Sequence, residues 1–512
     1  MSIPTSSTVI RHDIDGLRAI AVIIVILYHC GVGDLGGGFV GVDVFFVISG
    51  YLIIPQIVRL MQEGRFSFAD FMGRRVRRLV PALVPVLVYA FVAGLVLLGS
   101  GALEDFLSSL AGAATFVSNY VFLGQSGYFE RTTDTTLLLH TWSLGVEFQF
   151  YLIAPLFLML VSHRAALALG GLILFSLGLA IYLVGQSSDW AFYGVGPRLW
   201  ELAIGGLIGL WQSRLGRFGY SGIVMRIAGV ALIAYAAHTY KSYLPFPGAA
   251  ALVPVVGAAL IVAAPPVGKD SLYLLLSNRV MRWVGTRSYS IYLWHWPLIV
   301  TVALVSPEQN DLKSLSAAAL ALPLAELSYR FVETPIRRGA FWRPQRATLA
   351  LVALPVLVFG GVFLLGKGSD ALTAVRSALP AENVRTINDL GDVARAAYLA
   401  KVAEDGTDGR AGVCTLDRHR PVAELRPCLT RAAGGETGGI LVLGDSHSLN
   451  MFHALRAGFP DVPKVVLFES ACGPADFYRP NGERCFNGLA EELPSIVDEL
   501  KPKAIVLASH WP

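Results

Sequence analysis

Ile14-Asp-Gly-Leu-Arg-Ala-Ile-Ala-Val-Ile-Ile-Val-Ile-Leu-Tyr-His-Cys-Gly-Val-Gly33 is the stretch on which the fold turns. A helix of this length reaches about 30 Å, the thickness of a bilayer's hydrocarbon core, so the segment reads as a membrane span. Ten more segments read the same way: 38–58, 80–99, 142–162, 165–185, 197–213, 223–240, 248–265, 288–305, 313–333 and 347–366. They account for a 512-residue chain that is 54% hydrophobic and only 15% charged, a composition that excludes an ordinary soluble enzyme. One more helix, 104–124, is ambiguous. It opens on Glu104 and Asp105 and carries Ser108, Ser109, Ser118 and Asn119, so it spans, re-enters or lies on the surface.

Charge divides the chain near residue 367. Residues 1–366 hold 25 basic and 18 acidic side chains, and residues 367–512 hold 16 and 19. The overall charge of +4 therefore sums two compartments and gives no reason to expect nucleic acid as a partner. The positive-inside rule sets the orientation. With the N-terminus cytoplasmic and 104–124 not crossing, all basic residues of the membrane part except Arg131, Arg198, Lys241 and Lys313 fall at cytoplasmic ends. If 104–124 crosses, the bias vanishes. The expectation is eleven spans, the N-terminus inside and the C-terminal domain outside.

Cysteine usage points the same way. Cys30 lies in the first span, while Cys414, Cys428, Cys472 and Cys485 lie in the polar part. Their spacing suggests two disulfides, most simply Cys414 with Cys428 and Cys472 with Cys485 among three pairings. Disulfides belong outside the cytosol, and four unpaired thiols are the alternative. The N-terminus enters a full-length span without an A-x-A-like site, so no cleavable signal peptide is expected.

Ionisable groups inside spans mark sites or are paired. Arg18 and His29 are eleven residues apart, which puts them within about 20° of one helix face and about 16 Å apart along the axis. Arg18 suits a phosphate and His29 exchanges a proton near neutral pH; the plain alternative is a bundle histidine with a snorkelling arginine. Arg74, Arg75, Arg77 and Arg78, in the loop after the second span, read as a topology signal or as a phosphate clamp. Glu147, in His140-Thr-Trp-Ser-Leu-Gly-Val-Glu-Phe-Gln-Phe-Tyr151, needs a partner, although the aromatics around it suit an interfacial belt. Trp294-His295-Trp296-Pro297 and Glu333 are weaker signals of the same kind, with core packing and catalysis equally open for His295.

Together these segments resemble the acyltransferase family 3 membrane proteins, which acylate bacterial cell-surface glycans. The matching stretches run in the family's order over residues 11–338. They are Asp15-Gly-Leu-Arg-Ala with His29 eleven residues after Arg18, Gly38-Phe-Val-Gly-Val-Asp-Val-Phe-Phe-Val-Ile-Ser-Gly-Tyr-Leu52, Arg74-Arg-Val-Arg-Arg-Leu-Val-Pro81, Thr141-Trp-Ser-Leu-Gly-Val-Glu147, Tyr289-Ser-Ile-Tyr-Leu-Trp-His295 and Glu333-Thr-Pro335. The resemblance implies acetyl-CoA or a similar acyl-CoA as donor, bound from the cytoplasm. It makes Arg18 and His29 essential, matches Arg75 and Arg78 to the family's arginine pair, and matches Glu147 to its acidic residue.

In the polar part, Gly439-Ile-Leu-Val-Leu-Gly-Asp-Ser-His-Ser-Leu449 reads as an apolar strand turning into a helix, with Ser446 at the turn. Strands at Val465–Phe468 and Ile505–Ala508, alternating with a helical stretch near 487–500, predict a parallel α/β sheet. Gly444-Asp-Ser-His447 resembles the first block of the SGNH hydrolases, which implies Ser446 as nucleophile and Gly473 as an oxyanion donor. The family's oxyanion asparagine has no match, the strand end reading Ala508-Ser-His-Trp511, and no Asp-x-x-His follows Ser446. The expectation is a chain cut short before that block. The alternatives are His447 or His510 as base, or a non-catalytic glycan-binding domain.

The expected fold is thus a polytopic α-helical membrane domain with a C-terminal periplasmic α/β SGNH-like domain. The parts are 1–340, an additional span in 341–366, a stem at 367–435 closed by the first disulfide, and 436–512. The expected function is an inner-membrane O-acyltransferase, with His29, Glu147 and Ser446 catalytic and Arg18, Arg75 and Arg78 holding the donor. No metal is expected. The acceptor expected first is lipopolysaccharide O-antigen, with peptidoglycan or another surface glycan as the alternative. A transporter or flippase for a lipid-linked glycan is the rival from a different class.

Overall fold

The computed structural model describes residues 11–366 except 34, 99, 126–135, 162–163, 216–220, 242–243, 266–269, 306–310 and 340–344, and beyond 366 only four strands. The chain forms two compact units, Met1–Val384 and Arg385–Pro512.

The first unit is helical, because a chain in hydrocarbon must satisfy its backbone hydrogen bonds within each segment. Its helices are α1 His12–His29, α2 Gly41–Gln62, α3 Phe68–Leu97, α4 Ser100–Ala114, α5 Ser118–Gln125, α6 Trp142–Val161, α7 Ala165–Val184 and α8 Ser188–Tyr193. There follow α9 Leu199–Leu215, α10 Ser221–Thr239, α11 Leu252–Ala263, α12 Ser271–Leu276, α13 Arg279–Val305, α14 Asp311–Leu327, α15 Thr334–Arg338 and α16 Gln345–Gly366. Among the described residues eight helical segments are long and apolar enough to cross a membrane, α16 among them, and the protein is a multi-pass membrane protein. The other three expected spans appear as α1, α9 and α11. Of these α1 carries Asp13, Asp15 and Arg18, and α11 is short.

The ambiguous segment 104–124 is not one helix. It breaks between α4 and α5 at Phe116, whose φ of 59° no helix accommodates. The longer piece, α4, extends about 22 Å, short of the roughly 30 Å needed.

Packing is densest where side chains are smallest. A Cβ at Gly285 of α13 would collide with the Asp15 carbonyl of α1, and one at Gly205 of α9 with the Val47 carbonyl of α2. Such small-residue contacts replace the hydrophobic drive that lipid does not supply. They bring α1 against α13 and α2 against α9, and of these α1, α2 and α13 line the site. Leu167 and Leu174 of α7 point outward, 72% and 74% exposed, as a lipid-facing helix requires.

One expectation needs correction. Arg74, Arg75, Arg77 and Arg78 do not lie in a loop; they occupy the first turns of α3. The helix starts early because the Ser67 side chain accepts a hydrogen bond from the Asp70 amide and so caps it. Pro81 and Pro85 sit inside the same helix.

In the second unit the described strands are β1 Val413–Thr415, β2 Ile440–Gly444, β3 Lys464–Phe468 and β4 Ala504–Ala508, all parallel in the order β1-β3-β2-β4. Val442 of β2 pairs with Val466 and Val506, so the expected strands form the expected kind of sheet. β1 falls in the stretch expected as a stem and adds an edge strand, Cys414 pairing with Leu467 through the backbone. Only the backbone of Cys414 is described. Ser446, Gly473, Cys428, Cys472, Cys485 and the helix near 487–500 lie outside the described residues.

Candidate active site

Seven arginines converge where α1, α3, α13 and α15 approach one another. Arg18, Arg74, Arg75, Arg77, Arg78, Arg337 and Arg338 line a cavity of about 620 Å³, with Glu333 its one acidic lining residue. Arg74 and Arg78 are four residues apart and so share a face of α3. Glu333 accepts from Ser290 at 3.2 Å and from Arg337 at 3.0 Å, at the end of a π-helical turn over Ser328–Glu333. Such turns are frequent at functional sites.

Arg18 and Arg78, with Tyr289, also line a second, narrower cavity of about 70 Å³ deeper in the bundle. Among the described residues neither guanidinium has a hydrogen-bonded or ion-paired side-chain partner. Arg75 differs: it donates to Gln56 at 2.7 Å and lies over the rings of Phe71 and Tyr151. Glu147 also faces the narrow cavity, and one of its oxygens accepts from both Ser49 and Tyr151. Ser143, Ser288 and Tyr292 complete its polar lining.

Tyr292 separates this cavity from a cluster of imidazoles. Its hydroxyl donates to the His140 carbonyl at 2.8 Å and lies 2.8 Å from the Ser143 hydroxyl. Beyond it, His29 at the far end of α1 lies against His295, Nδ1 to Nε2 2.9 Å, with the rings stacked at 16°. The His140 ring packs edge-on to His295 at 5.8 Å, and Trp296 flanks His29 at 4.4 Å. His140 and His295 are buried, whereas His29 is half-buried. Pro297 ends this part of α13 as a regular ladder, because it has no amide to give the Leu293 carbonyl.

The predicted residues therefore fall into two groups. Arg18, Arg75, Arg78 and Glu147 come together; His29 does not join them and pairs with His295 instead. Sequence reasoning missed Tyr292, Ser143, His140 and the Arg337–Arg338 pair as site residues. His140, Ser143 and Tyr292 stand inside stretches quoted above and Arg337 and Arg338 just beyond the last of them, but nothing in their spacing shows which helices meet.

Seven arginines around one cavity in a helical bundle make a site that can hold a polyanion. An acyltransferase domain family matches residues 11–332, so the chain belongs to that family, and an SGNH domain of the kind fused to such domains matches residues 413–512. The peptidoglycan O-acetyltransferase OatA of Listeria monocytogenes is 35% identical over 359 residues, 64% of this chain and 56% of that protein. The O-acetyltransferase OatA of Staphylococcus aureus is 30% identical over 389 residues, 70% of this chain and 64% of that protein. The chain thus spans a little over half the length of the curated relatives it matches. No solved structure matches it significantly.

Proposed function

We propose that the protein is a membrane O-acetyltransferase that takes an acetyl group from acetyl-CoA on the cytoplasmic side and delivers it to a hydroxyl of peptidoglycan outside. The observation that carries the reading is the pair Arg18 and Arg78, two guanidinium groups within a helical bundle that, among the described residues, make no hydrogen bond or ion pair to a carboxylate. An arginine inside a span is costly and is normally paired. Two whose forks make no ion pair among the described residues, at the junction of two cavities, suit an anionic ligand, and a pyrophosphate is matched by their planar forks. Arg74, Arg75, Arg77, Arg337 and Arg338 extend this field toward the mouth. The narrow cavity favours a short acyl group. Glu147 offsets the two cations and orients the Ser49 and Tyr151 hydroxyls along the wall.

His29 is the general base or transient acyl carrier in this reading, roughly three turns of α1 beyond Arg18. Ser446, two residues past the carboxyl end of β2, receives the acetyl group and hands it to the sugar. The eleven-span orientation, with the second unit outside an inner membrane, is supported by the break between α4 and α5 and by the arginine bias. The expected O-antigen acceptor gives way to peptidoglycan, the acceptor named for the Listeria relative. Membership of an acyltransferase family stands against the transporter alternative.

The test is transfer of labelled acetyl from acetyl-CoA to soluble peptidoglycan fragments by the full-length protein. His29→Ala should abolish transfer with protein levels unchanged. Full peptidoglycan acetylation by that variant would sink the mechanism.

A further inference from the structure

His295 Nδ1 lies 2.5 Å from the carbonyl oxygen of Tyr292. A carbonyl only accepts, so this nitrogen carries the proton. With one proton on each ring, His295 Nε2 is a bare lone pair. His29 Nδ1, 2.9 Å from it, must then be the donor. The lone pair of His29 is left on Nε2. Of the four ring nitrogens three are committed to this chain of hydrogen bonds, and the fourth belongs to the half-buried member of the pair. Among the described residues, the rings packed against His29 are those of Tyr28, His295 and Trp296.

We propose that His295 is a positioning residue: anchored on the Tyr292 carbonyl, it holds His29 in the tautomer whose Nε2 is free to accept a proton. The logic is that of a base oriented by a third group, with a backbone carbonyl where a carboxylate often stands. The inference rests on the reading of His29 as general base. In the step it serves, His29 Nε2 takes the proton of the attacking hydroxyl while that oxygen bonds to the acetyl carbonyl carbon. The carbon–sulfur bond breaks, and the thiolate leaves with the proton held by His29. Stacking on His295 and contact with Trp296 keep the His29 ring from turning over.

Three variants of the full-length protein in detergent, assayed with acetyl-CoA and soluble peptidoglycan fragments, test this. His295→Leu should lower kcat about 10- to 100-fold, the usual cost of losing an orienting partner. KM for acetyl-CoA should not change, since the donor cavities do not include His295. His295→Gln should recover most of the rate, because its amide oxygen can accept from His29 Nδ1 where Nε2 stood. Nitrogen NMR of the His29 ring should show the proton on Nδ1 in the wild type and the Gln variant, and a mixture of tautomers in the Leu variant. The proposal is overturned by a Leu variant with normal kcat, by equal losses in the Leu and Gln variants, or by a wild-type His29 protonated on Nε2. His29→Ala separates the two levels. If it retains full transfer, the base reading itself falls; if it is inactive while His295→Leu is normal, only the positioning role falls.

Discussion

Arg198 and Arg18 are both arginines held among helices, and they are solved in opposite ways. Arg198, 1% exposed, donates to Asp43 and to Glu201, each at 2.9 Å, and lies over the rings of Trp142, Phe192 and Phe246. Arg226 is likewise paired, at 2.6 Å from Asp270 and 3.9 Å from Asp13. Arg18 and Arg78 face open space and have no such partner among the described residues. Desolvating a guanidinium is costly in either case. Where carboxylates bond the guanidinium directly, the arginine reads as structural; where the fork faces a cavity, the proposed function gives it a ligand.

The contrast can be broken most sharply at Arg198. Arg198→Leu leaves Asp43 and Glu201 buried without their cation, a loss of about 3–5 kcal/mol, so the purified variant should unfold at clearly lower temperature or fail to accumulate. A variant as stable as the wild type would show that the pairing does not hold the bundle together. Arg18→Gln and Arg78→Gln should do the reverse. Their thermal unfolding should be unchanged, while KM for acetyl-CoA rises about 10- to 100-fold, in keeping with the worth of one hydrogen bond to a charged group. If either variant lost stability instead and kept its KM, the distinction between paired and unpaired arginines would fail. The smallest effect belongs to the mouth. Arg337→Gln with Arg338→Gln should raise KM only about threefold at moderate salt, because charges open to solvent at the mouth are screened, and the difference should shrink further as salt is added.

The same contrast shows how much could be read from the chain alone. Arg18 and His29 were visible as a pair because helix geometry is local: eleven residues fix both the angle and the rise. The apolar strands of the second unit were visible for the same reason, β2, β3 and β4 standing as short Val, Leu and Ile runs. The start of α3 ahead of its arginines has a local signal, Ser67 preceding Asp70 by three in the pattern of a helix start, which the run of charges before Pro81 masks. β1 was missed because three residues without alternation carry no readable period. The acceptor is not legible in the sequence, because a membrane bundle is silent about the sugar on the other side.

Local pattern was enough to establish that the protein lies in a membrane, where its helices run, and which ionisable groups are out of place there, since hydrophobic length and helical period depend only on neighbours in the chain. Which of those groups meet was settled by packing. The small residues Gly285 and Gly205 let α1 approach α13 and α2 approach α9. That approach joins His29 to His295 across 266 positions and Asp43 to Arg198 across 155. Pairings at such separations are set by the shapes of whole helices, which no single stretch of sequence contains.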